Sequence, residues 1–143
     1  MDISLKKIAL NAGAAEELDT TDFEVYLHGT SASCGRKIVE SQGGCLSRNG
    51  GNWSGCWFTV AKIDVAAIFA KRSSDRWPSE KPMVVGMAIA RDRSAWLQRE
   101  GLLSVPRTEN PPPGVSPTTP QYMFFPGAFQ YIQRDGFFFS MER

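Results

Sequence analysis

The sequence predicts a mixed α+β fold. Three segments carry this reading. MVVGMAIA (83–90) is a short apolar, β-branched run of the kind that forms a buried central strand. KIDVAAIFAKR (62–72) repeats its small and apolar residues at helical spacing. QYMFF (121–125), FQYIQ (129–133) and GFFFSM (136–141) close the chain as aromatic-rich segments separated by the turns PGA and RDG, and all three read as strands.

With 143 residues the chain suits one soluble globular domain, since a second core would have too little chain to bury. Hydrophobic residues make up 42% and charged residues 22%, the balance of a folded protein. A net charge of +1 gives no bulk field to hold phosphates or an anionic bilayer, so neither nucleic acid nor a membrane is expected as a partner. No apolar run approaches the ~20 residues of a membrane span, and the start does not read as a Sec signal peptide. Cys34, Cys45 and Cys56 are odd in number and lack the close pairing of structural zinc ligands, so they read as free thiols in a reducing compartment, with no metal.

In chain order, residues 1–22 are polar and read as an N-terminal arm, weakly helical or frayed, ahead of the domain at 23–143. FEVYLHGT alternates through Phe23, Val25 and Leu27, a strand that delivers His28 at its end. A short helix near 33–42 follows, with Ser31 or Ser33 as candidate cap, Ile38 and Val39 on its apolar side, and Gly43 and Gly44 to stop it. The Gly-, Asn- and Ser-rich stretch 46–55 is a loop. CWFTV (56–60) is a short strand on which Trp57 and Phe58 must face opposite ways. The helix at 62–72 is expected to put Ile63, Ala66, Ala67 and Ala70 on one face. Gly86 in the central strand marks a close approach. Six prolines between Pro106 and Pro120 exclude helix and central strand, leaving a long exposed loop that either faces a substrate or is idle.

YLHGTSASCGRKIVESQGG (26–44), GCWFTVAKIDVAAIFAKR (55–72) and PQYMFFPGAF (120–129), in that order, resemble the ADP-ribosyltransferase superfamily, in the His-Tyr-Glu branch typified by diphtheria toxin and the poly-ADP-ribose polymerases. The resemblance covers about residues 23 to 133. It implies two split antiparallel sheets around a cleft with flanking short helices, and NAD as substrate. His28, Gly29 and Thr30 occupy the family's His-Gly-Thr positions, and Phe58 and Phe69 stand where two tyrosines sandwich the nicotinamide. Gln121 stands where the catalytic Glu is called for.

The residue chemistry agrees with that assignment. Breaking the N-glycosidic bond of NAD develops positive charge on the ribose, so a site must grip the ring and ribose while a carboxylate supports the cation. His28 can bond a ribose hydroxyl through one nitrogen while the backbone orients the other. The Gly29 backbone is free to pair with a carboxamide, and phenylalanine keeps the stacking of tyrosine without its hydroxyl. Gln121 cannot supply the charge. The exposed-loop carboxylate of Glu109 is a remote substitute, and Arg36 and Lys37 read as solvated rather than as pyrophosphate ligands.

The resemblance therefore implies a transferase-like domain of weak or absent activity, a pseudoenzyme in the limit. The alternative is a non-catalytic NAD-binding or protein-interaction domain derived from that fold. Implied partners are NAD and a target or host protein. Both a toxin or effector delivered without a Sec signal and an ordinary cytoplasmic protein are compatible with it.

Overall fold

A computed structural model describes residues 22–46, 55–77 and 79–141. The chain order is β1 (Phe23–Ser31), α1 (Ala32–Glu40), β2 (Trp57–Thr59), α2 (Ile63–Asp75), β3 (Pro82–Ala90), α3 (Arg91–Arg99), β4 (Leu103–Ser104), β5 (Tyr122–Phe124), a 3-10 turn at Pro126–Ala128, α4 (Phe129–Asp135) and β6 (Phe137–Ser140). The arm expected at 1–22 lies outside the described residues apart from its last position, as does most of the loop expected at 46–55. None of the described helices is long and apolar enough to cross a membrane.

The strands form two three-stranded antiparallel sheets, ordered β1-β3-β6 and β2-β5-β4. β3 is central, as its apolar run predicts. Gly86 there faces Phe139, whose ring lies where a Cβ would be, 2.4 Å away. The sheets meet at one bridge, where Leu27 and Val60 exchange hydrogen bonds of 2.9 and 2.7 Å. Beyond it they part.

The main core lies on the Tyr26 face of the first sheet, where Trp57, Met87, Ile89, Phe124, Ile132 and Phe138 interlock. Each such side chain contributes about 1.5–3 kcal/mol on burial. Trp57 is fully buried against Phe124 and Phe138, with ring centroids 5.9 and 5.5 Å away. On the other face α2 packs on β1 and β3 through Ala66 and Ala70, whereas Ala67 is exposed, contrary to the expected four-residue face. The reason is angular: Ala66, Ala70 and Ser74 repeat every fourth position along one line of the helix.

Three further expectations need correction. FQYIQ is not a strand but the start of α4. Its buried residues, Phe129 and Ile132, are one helical turn apart, and both edges of β3 are already taken by β1 and β6. α3 and β4 add a helix and a strand between β3 and the prolyl loop, where no element was expected. No side chain of Ser31 caps α1. Glu80, from the segment before β3, accepts from the Ser33 amide at 3.2 Å and from the Ser33 hydroxyl, and these bonds hold its carboxyl below the usual range.

α1 ends at Glu40, and Gly43 closes it as expected: its amide donates to the Ile38 carbonyl at 2.9 Å, and its φ of +82° is a left-handed conformation that suits glycine. Gln42 just before it, at φ +49°, turns its amide onto the open edge of β6. Nε2 donates to the Phe138 carbonyl at 2.8 Å and Oε1 accepts from the Phe138 amide at 3.0 Å. A side chain thus stands where a neighbouring strand would pair.

The prolyl loop is closed at its neck. Gln121 donates to Pro106 at 2.8 Å, Arg107 bridges Pro120, and both the amide and hydroxyl of Thr108 donate to Thr119, at 3.1 and 2.7 Å. Pro112 and Val115 are buried within it, so the segment is anchored to the domain despite its many exposed residues.

Candidate functional site

The parting of the sheets opens a small cavity of about 80 Å³, and His28, Gly29, Phe58, Phe69 and Gln121 line it together with Leu27 and Val60 of the bridge. Residues from β1, β2, α2 and the entry to β5 therefore converge on one place. Thr30 does not join them: it is buried farther along β1 and is not among the lining residues. Glu109 is exposed in the loop and is not a lining residue either. Arg36 and Lys37 are exposed on α1, on the side of Glu80.

His28 bonds through Nδ1 to the Phe58 carbonyl at 2.7 Å. A carbonyl only accepts, so the proton resides on Nδ1. Burial lowers the pKa of His28 and the Phe58 bond acts against it, leaving the ring neutral at pH 7 with Nε2 as an acceptor. The ring stands 5.2 Å from that of Trp57, which backs it from the core. As strand alternation requires, Trp57 is inside and Phe58 faces the cavity.

The bond from His28 also explains why the sheets separate. Along an antiparallel strand, alternate residues turn their N–H and C=O to the same neighbour. Leu27 turns both toward Val60, so Gly29 turns both the same way, to where Phe58 would be its partner. The Phe58 carbonyl is instead taken by the imidazole. Among the described residues no hydrogen bond occupies the N–H or C=O of Gly29, and both face the parting. Gly29 is also the point of closest approach to α2: a Cβ there would lie 2.1 Å from the Ala66 carbonyl oxygen and 2.5 Å from the Ala70 nitrogen. The missing side chain is thus required by packing as much as by access.

The cavity can hold an amide or hydroxyl group by four features: a donor and an acceptor on Gly29, an acceptor on His28, and the adaptable amide of Gln121, with Phe58 and Phe69 as aromatic walls. Among the described residues no carboxylate lines it. Its volume is well below the ~300–1,000 Å³ of ordinary small-molecule sites, so it has room for a small group and not for a dinucleotide. The three cysteines carry no disulfide, and the described residues contain no cluster of side chains able to hold a metal ion.

Compared with known proteins, the chain matches no family model, no curated protein and no solved structure.

Proposed function

We propose that this domain is an ADP-ribosyltransferase-like module that takes the carboxamide-bearing end of NAD into the cavity at the sheet junction and turns it over weakly or not at all. One observation carries the reading: His28, Gly29, Phe58, Phe69 and Gln121, scattered along the sequence, line a single cavity. The open N–H and C=O of Gly29 match a carboxamide, and Nε2 of neutral His28 matches a ribose hydroxyl. The neutral Gln121 leaves the oxocarbenium ion without an anion. Loss of such a transition-state interaction removes several kcal/mol, on the scale of the ~2.7–4 kcal/mol known for one oxyanion-hole donor.

Titration of ¹⁵N-labelled protein with nicotinamide and with NAD tests this reading. Both are expected to shift the amide signals of Gly29 and Phe58, with no nicotinamide released from NAD over hours. If neither compound shifts those signals, the reading fails.

A second reading, a protein-interaction domain without a nucleotide, is favoured by one observation. A larger concavity of about 790 Å³ lies elsewhere, between Ile68, Lys71 and Arg72 on α2 and the prolines Pro111–Pro113. It gains ground if NAD leaves the spectrum unchanged.

A further inference from the structure

On the other side of β5 from the junction cavity the structure holds another concavity, of about 610 Å³, between β1, α3 and β5. Gln121 lines the junction cavity and Tyr122, the next residue, lines this cleft, as neighbouring residues on an extended chain point to opposite sides.

The floor of the cleft is a pair of buried hydroxyls, Tyr26 and Ser94, each only 5% exposed and hydrogen-bonded to one another. Burial raises the Tyr26 pKa, so the phenol keeps its proton at every physiological pH. Two hydroxyls carry two protons, and the bond between them uses one. The second has no acceptor among the described residues, while both residues open onto the cleft. A ligand oxygen seated in the cleft would accept that second proton.

The walls set the class of ligand. Tyr122 stands edge-on to Tyr26, ring centroids 5.3 Å apart, and gives a half-buried aromatic surface. Gln98 offers an amide from an exposed position on α3. Glu24 and Arg91 at the rim pair with each other, so the cleft favours neither anion nor cation. Hydroxyl donors and acceptors, an amide, an aromatic wall and cancelled charge suit a neutral ring compound with many hydroxyls and one apolar C–H face.

We propose that this cleft binds a neutral sugar residue. Its C–H face lies on Tyr122, and a ring or hydroxyl oxygen accepts from the Tyr26–Ser94 pair. The site is independent of the reading given to the junction cavity, because it shares no residue with it.

The test is a titration of the ¹⁵N-labelled full chain with D-glucose, D-galactose, D-mannose and N-acetyl-D-glucosamine, and with the methyl glycoside of each, to about 100 mM, a ceiling that reveals even millimolar affinity. At least one sugar is expected to shift the amides of Ser94, Gln98 and Tyr122. Binding of both the free sugar and its methyl glycoside identifies the ligand as the end of a glycan; binding of the free sugar alone identifies a monosaccharide. Ser94→Ala and the exposed Gln98→Ala, which keeps the fold even if Ser94→Ala does not, are each expected to weaken binding roughly three- to tenfold, the loss of one hydrogen bond. Absence of shifts with all eight compounds overturns the proposal, and so does binding that neither substitution weakens.

Discussion

Nδ1 of His28 lies 2.7 Å from the carbonyl oxygen of Phe58, and this one bond spans the place where the two sheets part. It takes the acceptor that Gly29 would otherwise use, and so leaves the Gly29 backbone open to a ligand. Site and fold share the same atoms here, which makes both sensitive to the state of one imidazole.

The first prediction concerns pH. Burial lowers the pKa of His28 from its ordinary 6.5, so between the depressed folded value and 6.5 the unfolded chain binds more protons than the folded one. Stability therefore rises with pH through that window, is fully present above about pH 6.5, and is lost as the pH falls toward the folded value. The urea midpoint of the wild type should drop as the pH falls below about 6.5, and His28→Gln should flatten the drop. Glu80 and Asp135, held low by bonds to Ser33 and Arg134, contribute their losses only in the more acidic carboxylate range. An equally steep drop in His28→Gln would assign the effect to another group.

Charge at position 121 decides turnover. Gln121→Glu restores a carboxylate with little change in volume, and should raise NAD glycohydrolase activity by on the order of 10²–10³-fold over the wild type. His28→Ala in that background should abolish the gain. Robust wild-type hydrolysis that survives Gln121→Ala would place the acid elsewhere and sink the assignment.

Gly29→Ala forces a methyl group against the backbone of α2, where the Ala66 oxygen and Ala70 nitrogen cannot move without shifting the helix. The expected loss is ~1–3 kcal/mol or more, read as a lower urea midpoint. An unchanged midpoint would mean that α2 is free to stand off from β1.

At the edge of β6, Gln42→Ala removes both bonds to Phe138, with an expected cost of about 1–3 kcal/mol. It also uncovers a strand edge, so the variant should self-associate on size-exclusion chromatography. Gln42→Gly loses the same bonds but relieves the left-handed backbone, and should melt above Gln42→Ala. A wild-type elution profile and melting temperature in both variants would remove Gln42 from this role.

Much was legible in the sequence where a local period sufficed. β1, α1, β2, α2, β3 and the last two strands follow from alternation, helical spacing and Gly or Pro punctuation, and the inward Trp57 and outward Phe58 follow from the two-residue repeat of a strand. Those segments announce which side is buried before anything covers it. FQYIQ and RDRSAWLQR do not. In the first, a strand and a helix explain the same few apolar residues, and in the second only Ser94 and Leu97 are buried, too few to mark a period. A resemblance in sequence only suggested that His28, Phe58, Phe69 and Gln121 share one site, and only the folded chain brought them to one cavity and made it small. The capping of α1 by Glu80, the closure of the prolyl loop and the approach of α2 to Gly29 were likewise decided in three dimensions. Each depends on which distant segment supplies the partner, and that choice is made by packing across the whole domain rather than by any local run of residues.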